Sequence, residues 1–365
     1  MRSGFATSAC AAAAVAGGIR TLLAGDEDDE VVIDLPTVRG ARFPVVRRER
    51  VDGGVLCGIV KESSADPDVT AGLEIQAVVS RQAGADLSIA GGPGVGVVTL
   101  PGLPCAVGEA AINPGPRRLI RRIAEATLRD LGEDPGHGWR IEIRVPEGER
   151  VATRTMNPRL GIVGGISILG TDGLVRPYSA PAFRASIFYE LRVACQAGHR
   201  EIGLATGTRS AAYLRRELGE PDGGLGVLDV GDELGFPLGH VGPLGAERVV
   251  IGGMIGKLSK LARGRFQTHV NDGEVDFEHL AEVARRVGAP EPLCRRIRTA
   301  RTAHLVQGWL RSAGIAIEPA MSRLAACQAA AKAGVPARVL LFSLDGALLG
   351  DASAPAPTGM AGEAG

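Results

Sequence analysis

Glu201-Ile-Gly-Leu-Ala-Thr-Gly-Thr-Arg-Ser-Ala-Ala-Tyr-Leu-Arg-Arg-Glu-Leu218 decides the architecture of the second half of the chain. Glu201–Ala205 is a short apolar run, which reads as a buried strand. Thr206-Gly-Thr-Arg-Ser210 is a polar turn, and Ala211–Leu218 has helical spacing. The same order returns downstream. Gly226–Val230 is a second strand, followed by the acids Asp232 and Glu233 and itself containing Asp229. Arg248–Gly252 is a third strand that runs into Met254-Ile-Gly-Lys-Leu-Ser-Lys-Leu-Ala262. Strand, turn and helix in alternation predict a parallel α/β sheet. Ala320–Ala333 continues the pattern as a helix that Pro319 is placed to start, and Arg338–Phe342 as a strand.

Upstream the pattern differs. Val31–Leu35, Phe43–Val46, Val55–Lys61, Ile75–Ser80 and Arg140–Val145 read as strands, with one helix at Pro116–Leu131. The expected organisation is an α+β domain over residues 1–180, an α/β domain over 181–350 and a disordered Ala/Pro/Gly-rich tail over 351–365. At the N-terminus the apolar run Ala9–Ile19 is too short to span a bilayer, and Thr7 and Ser8 read as caps of an Ala-rich helix.

Composition narrows the function classes. Forty-one basic residues balance forty-one acidic ones, so no global field draws the chain to nucleic acid or to a membrane surface. With 2 Trp, 3 Tyr and 8 Phe, a base-stacking platform is not expected either. Glycine supplies 52 of 365 residues, about twice the usual share of roughly 7%. The six cysteines have no CxxC spacing, which suits buried thiols in a reducing cytoplasm rather than a zinc or iron–sulfur site. Only four lysines occur, and Lys257 and Lys260 share one short motif.

Several segments are candidates for chemistry, each with a plain structural alternative. Thr206–Ser210 between a strand and a helix offers backbone N–H groups to a polar ligand, or is an ordinary capped turn. It is not GxGxxG, so no dinucleotide is indicated. Gly252–Lys260 departs from a P-loop, because Leu258 stands where the metal-binding Ser/Thr belongs. Its lysines contact ligand carboxylates or simply sit at the surface. Gly91–Gly96 lies against a ligand or marks tight packing. Asp66-Pro-Asp68 supplies acid–base groups or an Asx turn.

Five segments together resemble one family. SGFATSACAAAA at 3–14, KESSADPDVTAG at 61–72 and GGPGVGVVTLPGLPCAVGEAAINPGPRRLI at 91–120 match its signature blocks. So do TMNPRLGIVGGISILGTDGLVRPYS at 155–179 and GGMIGKLSKLARGRFQTH at 252–269. The chain is identified as resembling the CbiD-type cobalt-precorrin-5B C1-methyltransferases of corrin biosynthesis. The resemblance implies an α+β first domain followed by a Rossmann-like α/β/α domain with a parallel sheet. It also implies methyl transfer from S-adenosylmethionine to ring carbon C1 of a cobalt–corrin intermediate.

On that resemblance the site expectations are these. Thr206, Gly207, Arg209 and Ser210 hold the donor, with Asp229 or Asp232 near its ribose. Arg159, Lys257 and Lys260 meet substrate carboxylates, and Asn113 and Asn157 donate to ring carbonyls. Gly94, Gly96, Gly164 and Gly165 leave room for a flat macrocycle. Asp66, Asp68 and His269 are the titratable groups for proton transfer. Cobalt arrives within the tetrapyrrole, so no protein-bound metal is expected. Partners are the small-molecule substrate and neighbouring corrin-pathway enzymes, with oligomerisation open. A non-catalytic carrier of corrin intermediates and a nicotinamide-dependent reductase of the same pathway stand as alternatives.

Overall fold

The structure is a computed structural model and describes residues 4–62, 68–175, 179–269 and 274–357. Two compact units divide at Ala180/Pro181.

The first unit runs β1 (Gly4–Phe5), α1 (Thr7–Ala24), β2 (Glu30–Ile33), β3 (Ala41–Val51), β4 (Gly54–Val60), β5 (Glu74–Arg81), β6 (Leu87–Gly91), β7 (Gly94–Val95), β8 (Val97–Val98), α2 (Pro114–Asp130), β9 (Trp139–Arg144), α3 (Gly148–Ala152), β10 (Ile162–Val163), β11 (Gly165–Ile166) and β12 (Leu174–Val175). Six strands form one sheet in the order β2-β3-β4-β5-β9-β6, antiparallel except for the β6–β9 pair. Its core needs few aromatics because α1 packs through small residues. A Cβ on Gly17 would stand 2.7 Å from Cys57 Sγ, and one on Gly18 3.0 Å from Val79 Cγ2. The helix backbone therefore lies closer to the sheet than larger side chains allow.

The α1 helix corrects two expectations. It extends to Ala24 and is long and apolar enough to cross a membrane by length and composition, yet 78% of it is buried inside this unit. Thr7 and Ser8 do not cap it, since its N-cap is Ala6 without a side-chain cap bond. Thr7 Oγ1 instead exchanges hydrogen bonds with Leu169, and Ser8 Oγ donates to Gly170 O at 2.6 Å. These two hydroxyls fasten the N-terminus to a segment more than 160 residues away.

The second unit runs α4 (Ala180–Gln196), β13 (Glu201–Ala205), α5 (Thr208–Leu218), β14 (Val227–Asp229), α6 (Gly235–Leu238), β15 (Arg248–Met254), α7 (Ile255–Ala262), α8 (Phe277–Arg286), α9 (Glu291–Arg298), α10 (Ala303–Ser312), α11 (Glu318–Ala333), β16 (Ala337–Phe342) and β17 (Leu348–Ala354). Its sheet has the order β14-β13-β15-β16-β17, the first four strands parallel and β17 antiparallel. Alternate side chains of β15 and β16 enter different cores. Val250, Leu340 and Phe342 pack with Ala211 and Leu214 of α5. Val249, Ile251, Val339 and Leu341 pack with residues of α4, α7 and α11. Burial on both faces is why these strands read as unbroken apolar runs.

The tail expectation is corrected in part. Residues 351–354 belong to β17, and Arg338 grips Asp351 with Nε at 2.9 Å and Nη2 at 2.6 Å. Composition suggested disorder there, but ladder pairing with β16 and a bidentate ion pair order the segment. Residues 355–357 follow without regular structure, and 358–365 lie outside the described residues. Cys327 also departs from expectation, being exposed while the other five cysteines are buried.

Candidate active site

In chain order the parallel strands of the second unit are arranged 2-1-3-4. The order therefore reverses between β13 and β15. Ligands of open α/β sheets bind outside the carboxyl ends of the strands at such a reversal. Here that edge is built from Thr206-Gly207-Thr208 after β13, Asp229–Asp232 after β14 and Met254–Lys257 after β15.

One hydrogen-bonded network crosses it. Thr206 is buried, and its N–H donates to Gly252 O at 3.0 Å. Lys257 Nζ donates to Thr206 O at 2.6 Å and pairs with Asp232 Oδ1 at 3.0 Å. Thr268 Oγ1 donates to the same Asp232 oxygen at 2.7 Å. Lys260, 7% exposed, donates to Thr268 O at 2.9 Å and His269 O at 3.4 Å. Burial pushes the Asp232 carboxyl up, but the Thr268 hydroxyl and the Lys257 ammonium outweigh it and hold the group below its ordinary value. The sequence named Asp232, Lys257, Lys260 and His269 in separate roles, and the fold joins them. Neither lysine is a plain surface residue.

The donor-turn residues are less uniform. Gly207 is the N-cap of α5, and no side chain caps that helix. Ser210 is buried and Arg209 is exposed. Asp229 is occupied at both oxygens, by Thr208 Oγ1 at 3.1 Å and by the N–H of Gly231 at 3.2 Å.

The first unit gathers the other candidates into a glycine-rich knot. β7 pairs parallel with β11, and β8 antiparallel with β10. Three of the four glycines expected to make room for a macrocycle make room for neighbouring parts of this chain instead. A Cβ on Gly94 would lie 1.7 Å from Val145 O, on Gly96 2.3 Å from Ile162 Cγ2, and on Gly165 2.1 Å from Gly94 O. Only Gly164, with φ +77°, has nothing within 4 Å. Asn157 is likewise turned inward, its Nδ2 donating to Gly165 O at 2.9 Å and its Oδ1 accepting from Ser167 Oγ at 3.1 Å. Asn113 is the N-cap of α2 and accepts a long contact from Cys105 Sγ at 3.7 Å. Arg159 is half-buried beside this knot. What the knot does present is an apolar cross-strand pair, Val97 opposite Val163, at 40% and 51% exposure. Sequence reading passed over both valines, because a β-branched run normally signals a buried strand.

Asp66 lies outside the described residues. Asp68 pairs with Lys61, a lysine 1% exposed that sequence reading had not placed in any role. Its other oxygen accepts from the Thr70 N–H at 2.8 Å. Burial raises this carboxyl, but the bonds from Lys61 and Thr70 lower it further than burial lifts it. His269 is exposed at the end of the lysine network. Among the described residues no three His, Cys, Asp or Glu side chains converge as a metal site.

Comparison with known proteins covers both units. The CbiD family matches residues 1–177, and the family described as CbiD, C-terminal domain, matches 267–353. The cobalt-precorrin-5B C(1)-methyltransferase of Geobacillus kaustophilus is 38% identical over 96% of this chain and 95% of its own. That of Methylorubrum extorquens is 39% identical over 96% and 97%. A crystal structure of the cobalamin biosynthesis protein CbiD from Archaeoglobus fulgidus is 27% identical, covering 74% of this chain and 83% of that one with a TM-score of 0.41. Matched end to end by relatives of that identity, the chain belongs to the CbiD family.

Proposed function

We propose that the protein transfers a methyl group from S-adenosylmethionine to C1 of cobalt-precorrin-5B, giving cobalt-precorrin-6A in the anaerobic type of cobalamin biosynthesis. The observation that carries this reading is the end-to-end match: relatives of that name align with 96% of the chain, through both units. The second unit's 2-1-3-4 parallel sheet, helix-covered on both faces, supports a Rossmann-like assignment for the domain that holds the donor.

S-adenosylmethionine supplies an electrophilic methyl group on a sulfonium. The electron pair at C1 forms the new carbon–carbon bond while the carbon–sulfur pair stays on sulfur, so the protein's task is alignment rather than redox chemistry. Two cationic groups, Lys257 and Lys260, stand at the carboxyl edge of the sheet, suited to the carboxylate arms of a corrin or to the donor's own carboxylate. In the first unit, exposed Val97 and Val163 beside open Gly164 offer an apolar, flat face to the macrocycle. Of the three groups expected for proton transfer, Asp66 lies outside the described residues, Asp68 is held ionised by Lys61, and His269 is exposed. Cobalt enters as part of the substrate.

Lys257→Ala removes a charge-assisted bond to Asp232 and the bond to Thr206 O. Losing those internal bonds is expected to lower the melting temperature by several degrees, and losing the cation removes a charge-assisted bond to a ligand carboxylate, at about 1.5–3 kcal/mol, so kcat/KM for methyl transfer is expected to fall about 10- to 100-fold. Steady-state kinetics on the purified variant check this, and an unchanged kcat/KM contradicts a role for this edge.

A further inference from the structure

We infer that the methyl donor is seated in a cavity of about 620 Å3 in the second unit, walled by the β15–α7 junction, residues 274–277, residues 300–307 and the end of β16. The inference rests on the methyltransferase reading and names the place where that reaction's small co-substrate is held.

Size is the first argument. Cavities of about 300–1,000 Å3 enclose ligands of a few hundred daltons. A nucleoside joined to an amino acid is of that class, whereas a corrin ring with its acetate and propionate arms is too large to be enclosed here. The lining is the second. Met254, Ile255 and half-buried Phe277 give an apolar wall with one aromatic ring, suited to the face of a purine. Lys260 lines the same cavity as a buried cation. Among the described residues its partners are two carbonyl oxygens, and it makes no ion pair there. A buried ammonium whose partners among the described residues are neutral carbonyls favours a carboxylate nearby. The α7 helix starts at this cavity without a side-chain cap, so its first-turn N–H groups add to the same preference. Exposed Arg301 adds a second cation, and Glu274, the one acid in the lining, suits a sulfonium or a ribose diol.

The fold supplies a clean plug. Gly256 lines the cavity within α7, and a Cβ there meets nothing within 4 Å. Gly256→Leu therefore extends into open space while improving helix propensity. Calorimetric titration of the full-length protein with S-adenosylhomocysteine is the test. Binding by wild type, weakened at least about tenfold in Gly256→Leu without a lower melting temperature, supports the placement. Arg301→Glu at the exposed rim is a second variant, expected to weaken binding about three- to tenfold even if the first fails to fold. Wild-type affinity in both variants overturns the placement. So does loss of binding to cobyrinic acid with S-adenosylhomocysteine binding intact, which would give the cavity to substrate carboxylates. Absence of S-adenosylhomocysteine binding by wild type itself would overturn the methyltransferase reading and the placement with it.

Discussion

Asp68→Ala is expected to destabilise the first unit by about 3–5 kcal/mol, the usual cost of leaving one charge of a buried ion pair without its partner. Lys61 is 1% exposed, and the Asp68 side chain is 16% exposed. No other carboxylate pairs with Lys61 among the described residues. Beside the pair, burial pushes the Cys10 thiol to about 12, so it remains neutral and supplies no counter-charge. Removing both charges is a different matter. The double variant Lys61→Met/Asp68→Leu is expected to lose much less than Asp68→Ala alone, because a buried ion pair and an apolar replacement of similar volume are often close in stability. Urea unfolding of the three proteins checks this, and an Asp68→Ala midpoint equal to wild type refutes it. The pair also predicts a pH dependence. The Asp68 carboxyl sits below its ordinary value near 3.8, so its stabilisation is fully present above that value. It is lost as pH falls through the lower, folded-state value.

Gly94→Ala is the second large effect. Gly94 and Gly164 share a φ of +77°, so an added side chain strains both backbones alike, by about 1–2 kcal/mol. They differ in space. At Gly164 the new Cβ meets nothing within 4 Å, but at Gly94 it falls 1.7 Å from Val145 O and 2.7 Å from Val145 C. Those atoms are backbone and cannot rotate away, so β7 must part from the β9–α3 connection. Overpacking of this kind adds about 1–3 kcal/mol or more. Gly94→Ala is therefore expected to melt about 4–20 °C below wild type and Gly164→Ala about 2–8 °C below, the difference being the overpacking at Gly94. Differential scanning calorimetry decides it, and equal melting of the two variants would contradict the packing role.

These glycines show where sequence reading stops. A glycine signals that something approaches closely, but not whether it is a ligand or another stretch of chain. The partner of Gly94 in the β7–β11 pair is Gly165, 71 residues away, and no local pattern announces that pairing. The α/β unit was legible for the opposite reason. Strands buried on both faces write their own apolar runs, and Glu201–Ala205 emerged with its bounds as read. Helices α8 to α10 went unread, because they are short, α8 and α9 are arginine-rich and separated by Gly288 and Pro290, and α10 carries a glycine, Gly308. With them went the residues 300–307 that wall the cavity. At the site the residue types were legible and their connections were not. Asp232 and Thr268 stand 36 residues apart and meet only because the segments after β14 and α7 come together at one edge. Lys61 gave no signal beyond following an apolar strand.

The most direct measurement is methyl transfer by the purified protein. A cobalt-precorrin-5B-generating mixture is combined with isotope-labelled S-adenosylmethionine and the corrinoids are read by mass spectrometry. The expected product is a corrinoid heavier by one labelled methyl that forms only when this protein is present, with the label at C1. An unmethylated corrinoid bound tightly to the protein, with the upstream enzymes shown active and no labelled product, would contradict it and make the chain a carrier rather than a catalyst.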